Sequence, residues 1–469
     1  MKEDSDKLKV GLLGVTLEFY ESKGPQTREG REKWLREKVL PQLSDKAEVH
    51  FEGACFRRAD IERRILDFQS EGMDVILVIC LTYSTSLASL GALKRTPLPI
   101  VIWNTQELYS VDESYGGAEL SANHGVHGTF DLCNVLIRSG VKFGYVTSHL
   151  DDPDGIDKVV DALRSAGAVS KLRKMRLGLL GYPFPGMGDF GLDTTHMTAT
   201  LGCEWEALSV AEFNRLCGQA DSDQALALTE QYRAEYDVAD NVTKEDLLTA
   251  GRAELALRSM ISQYNLDAYS YQFLAFGNDD RSTTVPFVAA SRLLAEGIGF
   301  GGEGDLIAAA YSALLNWLAC PASFSEIFTI DFAGNSVLLS HMGEANARMH
   351  RKDMKLRLVK RETPIVPVLG SQLALAVNYQ PGSATLTALT LAQQGRWRII
   401  ASPVTIPDFG PVSHLAVPHA KASPKSDVRE FLTAYASAGG PHHMAVCFGD
   451  ARSKLRLFAK LLDADYVEV

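Results

Sequence analysis

The sequence predicts an α/β chain: two doubly wound parallel-sheet domains followed by a C-terminal β-rich domain, antiparallel and barrel-like. Three observations carry this. The first third alternates short apolar runs with amphipathic stretches, and the same alternation restarts near Met175. From about Ser323 it gives way to short alternating segments separated by Gly, Pro and Asn. The expected domains are 1–172, 173–320 and 321–469. Length agrees, since 469 residues exceed one ordinary core. Composition agrees too, with 46% hydrophobic and 22% charged residues.

In chain order, KVGLLGV (Lys9 to Val15) is a short apolar run, as a buried parallel strand should be. An amphipathic stretch follows from about Arg28 to Leu40, and EVHFEGA then reads as a strand. ADIERRILDFQSEG places Ile61, Ile65, Leu66 and Phe68 on one helical face. DVILVIC, LPIVIWN and FGYVTS are strand-like again. After a linker near Ser170 to Lys174, MRLGLLG (Met175 to Gly181) repeats the character of the first strand and runs into a turn-rich loop, YPFPGMGDFGLD. Helical patterns continue through TKEDLLTAGRAELALRSMISQY, with a capping box over Thr243 to Asp246. DAYSYQF is a strand, and FVAASRLLAEG a helix ending at Gly297. SEIFTIDF, SVLLSHM, KLRLVKR, QLALAVNY, SATLTALTLA and WRIIASPV supply the β-rich module. A helix, the segment PHHMAVCFG and a last helix–strand pair close the chain.

Several function classes are excluded or disfavoured. A net charge of -11 argues against a nucleic-acid backbone as partner. The basic clusters Arg351-Lys352 and Lys355, Arg357, Lys360, Arg361 alternate with apolar residues and read as a solvated strand face. The seven cysteines are scattered and never in CxxC spacing, which argues against a disulfide framework or a thiolate zinc site. The polar MKEDSDKLKV start lacks a leader-type apolar region, and no run of about 18 apolar residues predicts a membrane span. A cytoplasmic protein is expected. The loops TLEFYES, LTYSTS and NTQE after three early strands are neither GxGxxG nor Walker A loops. Their polar groups suit a small hydroxylated ligand, and doubly wound sheets bind ligands at these strand ends.

Four places could carry chemistry. Glu303 sits among Gly299, Gly301, Gly302 and Gly304, just before an apolar helix. Glu326 begins an otherwise apolar strand, where a lone charge is costly without a partner. His341 lies at a strand end, and His442 and His443 follow Gly439, Gly440 and Pro441. Each has a plain structural alternative. Glu303 and Asp305 are acids near a helix start, which the helix dipole favours. Glu326 suits a wet edge strand and His341 a hydrogen-bonded core. Spacing does not link the four places. If they meet, two carboxylates and one or two imidazoles suit a divalent ion of intermediate hardness, with manganese the best match and cobalt, iron, magnesium or zinc open. Paired carboxylates there could move a proton between adjacent carbons.

GFGGEGDL, SFSEIFTIDF…LLSHM and AGGPHH stand in an order and spacing that resembles the bacterial L-arabinose isomerases, within the arabinose/fucose isomerase superfamily. GRAELALRSMISQYNLDAYSYQF leading to LLAEGIGFGGEGD extends the similarity, and NHGVHGTFD resembles the family segment around an AHGG motif. The resemblance covers most of the chain and is densest from about Gly251 to Met342. It implies manganese ligands at Glu303, Glu326, His341 and His443, with His442 beside them near the substrate. It implies aldose–ketose isomerisation through an enediol, with the metal holding two sugar oxygens and Glu303 and Glu326 moving the protons. It also implies that His127 reaches a neighbouring subunit's site, and that Met187 and Tyr83 line the sugar pocket. The partners are a monosaccharide and further copies of the chain, as a hexamer or trimer-based homo-oligomer.

The chain departs from the family at the substrate end. VTLEFYES stands where the family has a Gln-containing segment, Thr82 to Thr85 and Tyr182 to Asp189 also differ, and YPFPGM is closer to the fucose isomerase side. A deoxyhexose, tetrose or branched sugar is therefore an alternative substrate. Epimerisation through the same enediol is an alternative reaction, and a non-catalytic sugar-binding protein is the alternative from another class.

Overall fold

In the computed structural model, which describes residues 7–361, 366 and 369–469, the strand-like runs of the first third are parallel strands, buried at KVGLLGV, DVILVIC and LPIVIWN and more exposed at the two edges. The polar start, up to Asp6, lies outside the described residues. The strands are β1 (Lys9–Val15), β2 (Glu48–His50), β3 (Val75–Cys80), β4 (Ile100–Asn104) and β5 (Gly144–Thr147), in sheet order β2-β1-β3-β4-β5. β2 is shorter than EVHFEGA suggests. It is an edge strand, and the chain leaves it after His50 before Cys55 bridges Val15. In the helix Arg58–Ser70, Ile61, Ile65 and Phe68 are buried, but Leu66 is 61% exposed. One residue past Ile65 is a turn of about 100°, enough to leave a narrow apolar stripe. Residues up to Lys171, with Arg456–Asp463, form one compact unit.

The second unit holds Leu172–Leu455 and Ala464–Val469. It begins with β6 (Arg176–Leu180), β7 (Glu204–Leu208), β8 (Asp237–Val238), β9 (Ala268–Tyr271) and β10 (Gly299–Gly301). β10, β9, β6 and β7 pair in that order, all in parallel. β7 escapes sequence reading because it is an edge strand with a mostly exposed pattern, so no apolar run marks it. The helix Lys244–Tyr264 opens on the expected capping box: Asp246 N–H donates to Thr243 Oγ1 at 3.1 Å, and Thr243 N–H donates to Asp246 Oδ2 at 2.8 Å.

The last third adds β11 (Ala322–Asp331), β12 (Ser336–Ser340), β13 (Arg357–Lys360), β14 (Leu373–Leu375), β15 (Gly382–Leu391), β16 (Trp397–Ile406), β17 (His419–Pro424), β18 (His443–Phe448) and β19 (Asp465–Glu468). Six of them close into an antiparallel barrel, β15-β18-β11-β12-β17-β16, with β16 pairing back onto β15. Closure removes the exposed edges that an open sheet would carry. β13 and β14, expected among the barrel strands, pair instead with each other and with β8. The basic cluster beside them is a solvated face only in part, with Lys352 and Lys355 exposed. Arg351 is buried and holds Asp353 at 2.7 Å and Asp408 at 2.8 Å, and Lys360 Nζ holds both Asp246 oxygens at 3.0 Å. The apolar helix Leu306–Leu318 is buried along nearly its whole length. It packs on β9 and β10 on one side and on β11, β15 and β18 on the other. That helix brings the strand ends of the central sheet to the barrel. All seven cysteines are free, and no helix among the described residues is long and apolar enough to cross a membrane.

Candidate active site

β10 ends at Gly301, and the chain turns sharply before Asp305 caps the next helix. The turn is built from two left-handed residues, Glu303 at φ 61° and Gly304 at φ 94°. For a non-glycine residue that conformation costs about 1–2 kcal/mol and is often found at functional sites. The surroundings enforce it. The buried Ser270 hydroxyl donates to Gly301 C=O at 2.6 Å and accepts from Gly304 N–H at 2.8 Å. Phe184 N–H donates to Glu303 C=O at 2.9 Å. A Cβ at Gly302 would lie 3.0 Å from His341 Nε2, so the missing side chain admits the imidazole. Ser270→Ala is expected to cost about 1–3 kcal/mol by leaving buried backbone groups unpaired. Urea unfolding measures that loss.

The barrel supplies the rest. On β11, Glu326 stands opposite His443 of β18, and opposed residues of an antiparallel pair project from the same face. On its other side Glu326 faces Ser340, the last residue of β12, after which the chain delivers His341. Buried Phe324, two residues before Glu326, meets both rings edge-on, with centroids 4.8 Å from His341 and 5.0 Å from His443. Phe190 stacks on His443 at 5.0 Å and 8°.

Glu303, Glu326, His341, His442 and His443 therefore converge. Glu326 Oε1 lies 3.3 Å from His341 Nε2 and 3.2 Å from His443 Nε2. Glu303 Oε2 lies 3.5 Å from His443 Nε2 and 3.7 Å from His442 Nε2. Each imidazole has a second carboxylate on Nδ1: Glu344 on His341 at 2.6 Å, Asp305 on His443 at 2.9 Å and Asp189 on His442 at 2.6 Å. Burial opposes ionisation of Glu303 and Glu326, but the facing imidazoles win. Glu303 is held down to about 2 and Glu326 is likewise lowered, by His442 and His443 in the first case and by His341 and His443 in the second. Burial likewise opposes a charged His341, yet Glu344 and Glu326 raise it to about 10. His443 is raised against burial by Asp305, Glu303 and Glu326. His442 is raised chiefly by Glu303.

The donor set fits a divalent cation. Nε2 of His341 and of His443 are both buried without a hydrogen bond, although each faces carboxylate oxygen. Unsatisfied buried nitrogens beside two carboxylates are costly unless something else meets them. One ligand atom from each of Glu303, Glu326, His442 and His443 lies within 4.8 Å of the others. His341 joins the group through Glu326.

The other expected residues lie elsewhere. Met187 is on the loop whose Asp189 and Phe190 touch His442 and His443, and its own N–H donates to Phe184 C=O at 3.3 Å. Tyr83 and His127 belong to the amino-terminal unit. There the ring of His124 lies 5.9 Å from Tyr83 and 4.3 Å from His127. Sequence reasoning missed Ser270, Glu344 and Asp189 and gave Asp305 only its helix-start role. Asp305 does cap the helix, accepting from Ala308 N–H at 2.9 Å, while its other oxygen holds His443. The readable signal for Glu344 was its place three residues after His341.

Known proteins resemble the chain over most of its length. Residues 191–320 match the family model of the L-arabinose isomerase central domain, and residues 321–465 that of the L-arabinose isomerase C-terminal domain. Together the two models span more than half of the chain. An L-arabinose isomerase of Acidothermus cellulolyticus is 27% identical over 82% of this chain and 78% of its own length. One from a Nocardioides species is 28% identical over 69% of this chain and 66% of its own length. One from Geobacillus thermodenitrificans is 23% identical over 83% and 79%.

Proposed function

We propose, because the chain belongs to the L-arabinose isomerase family and is an aldose–ketose isomerase, that it converts a small aldose to its ketose through an enediol with a divalent ion at the five-residue cluster. The observation that carries this is the pair of buried, unsatisfied imidazole nitrogens facing two ionised carboxylates. Glu303, Glu326, His341 and His443 would hold the ion, manganese by donor chemistry. When bound, it supplies Lewis acidity toward the sugar oxygens. Glu303 and Glu326 do the proton work: one takes the proton from carbon 2 and a proton returns at carbon 1, while the other moves the hydroxyl proton from the carbon-2 oxygen to the carbon-1 oxygen. His442, with its side chain 40% exposed, faces the sugar, held by Asp189 through both its ring and its backbone N–H. Phe190 and Phe324 keep water from the flanks of His443.

The sugar is an L-arabinose-like pentose, with fucose-type deoxyhexoses, tetroses and branched sugars as alternatives at the divergent loops. Met187 lines its pocket, and His127 reaches the site of a neighbouring copy in a cytoplasmic homo-oligomer, whose mass sedimentation velocity would give. Epimerisation and non-catalytic sugar binding are separated from isomerisation by the product. A manganese-supplemented screen of aldoses should yield a ketose, and activity should vanish with chelator and return with manganese. Turnover indifferent to chelation would overturn the proposal.

Two further outcomes follow. His341→Ala should weaken manganese binding by more than about 100-fold, beyond what outer-shell changes cause, and His442→Ala by far less. Calorimetric titration separates them, and the reverse ranking would make His442 the ligand. A proton also competes with the ion for His341 Nε2. Since His341 is raised to about 10, apparent affinity should climb as pH rises from 6 toward that value, with proton release seen as buffer-dependent heats.

A further inference from the structure

We propose that Glu344, backed by Tyr271, is the positioning residue of His341, fixing which ring nitrogen faces Glu326 and locking the barrel half of the site to the central-sheet half. The inference rests on the metal-site proposal above.

Three observations carry it. First, packing alone leaves the imidazole ambiguous. Phe324 meets the ring at 84° and 4.8 Å, which fixes its plane, but a flipped ring would present the same profile. The 2.6 Å hydrogen bond from Nδ1 to Glu344 Oε2 distinguishes the nitrogens, since Nε2 makes none. An ionised carboxylate only accepts, so Nδ1 carries the proton and Nε2 is the nitrogen directed at Glu326.

Second, Glu344 is not free to follow the ring. Its segment is pinned on both sides. Ala345 N–H donates to Ser291 Oγ at 3.2 Å, Ser291 Oγ donates to Gly343 C=O at 3.3 Å, and Asn346 N–H donates to Ser323 Oγ at 2.9 Å. Glu344 is 1% exposed, so no water shell competes for its oxygens.

Third, its other oxygen accepts from the hydroxyl of Tyr271, itself 1% exposed. Tyr271 is the last residue of β9, the strand next to β10, which delivers Glu303. The chain Tyr271–Glu344–His341–Glu326 thus runs from the central sheet to the barrel through buried hydrogen bonds and one ion pair. It sets the two carboxylates of the site in register with each other. A buried carboxylate serving structure alone would need no contact with an imidazole whose far nitrogen is left unsatisfied.

The test is manganese titration calorimetry on the full-length protein, with thermal melts to confirm a cooperative fold. Glu344→Leu keeps volume and removes the acceptor; its dissociation constant should rise about 10–100-fold, the range for outer-shell partners of a ligand histidine. Glu344→Gln keeps one acceptor oxygen for Nδ1 and should lose clearly less. Tyr271→Phe should also lose less than Glu344→Leu. Affinities of Glu344→Leu and Glu344→Gln both within about twofold of the parent would overturn the positioning role while leaving the metal site standing. If Glu344→Leu does not melt cooperatively, Glu344→Gln and Tyr271→Phe decide, and no loss in either overturns it. A parent protein that takes up no manganese removes the metal site itself, and this inference with it.

Discussion

Glu326→Gln is expected to fold as the parent does and to lower isomerase turnover by about 10²–10⁴-fold, the range for removal of a positioned acid–base group. The substitution keeps shape and one acceptor oxygen but removes the charge. That charge lies 3.3 Å and 3.2 Å from the two imidazole nitrogens that lack hydrogen bonds. Glu326 is held ionised by His341 and His443 in spite of burial, so it is ready as a base without a proton to shed. An amide can neither take the carbon-bound proton nor offset the charge of the imidazoles. Glu303→Gln should behave alike, because Glu303 Oε2 faces His443 and His442 from the other side. Turnover at saturating sugar and manganese, with circular dichroism as control, reads the effect. Retention of most of the turnover in either variant would refute the assigned proton chemistry.

Gly304→Ala is expected to cost about 2–5 kcal/mol and to remove activity, by adding left-handed strain to overpacking. Gly304 sits at φ 94°, and a Cβ there would lie 2.5 Å from Pro183 Cα and 2.9 Å from Tyr182 C=O. Both are backbone atoms, so no rotamer change relieves the contact. The YPFPGM loop must move, and with it the Phe184 N–H that holds Glu303 C=O. Gly218 is the control: it is helical and a Cβ there meets nothing within 4 Å. Gly218→Ala should be neutral or stabilising by up to about 1 kcal/mol. Thermal and urea unfolding of both variants measures the contrast.

These two variants also show how far the sequence could be read. The glycines around Glu303 signalled a tight turn, but the left-handed residue is Glu303 itself as well as Gly304, which no sequence pattern marks. Buried apolar strands such as β1 and β3 announced themselves because both faces are covered. β7 did not, since an exposed edge has no apolar period. β13 and β14 carried the same alternation as the barrel strands, and pattern cannot say which strands pair. Local sequence singled out Glu303, Glu326, His341, His442 and His443, resemblance assigned their roles, and the fold brings all five together. Of the carboxylates behind the histidines, Glu344 lies three residues after His341, but Asp189 and Asp305 stayed hidden because they reach the rings from the loop after β6 and from a helix start. No spacing rule connects such places.

In the proposed chemistry, carboxylates move a carbon-bound proton during a metal-dependent isomerisation. Solvent-deuterium uptake tests it most directly. The manganese-loaded protein is incubated with its aldose in D₂O, and substrate and product are read by NMR. Deuterium is expected at carbon 1 of the ketose and at carbon 2 of recovered aldose. Uptake should be lost on chelation and in Glu326→Gln. A ketose that forms at full rate with no deuterium on carbon, carrying its hydrogen internally from carbon 2, would contradict it.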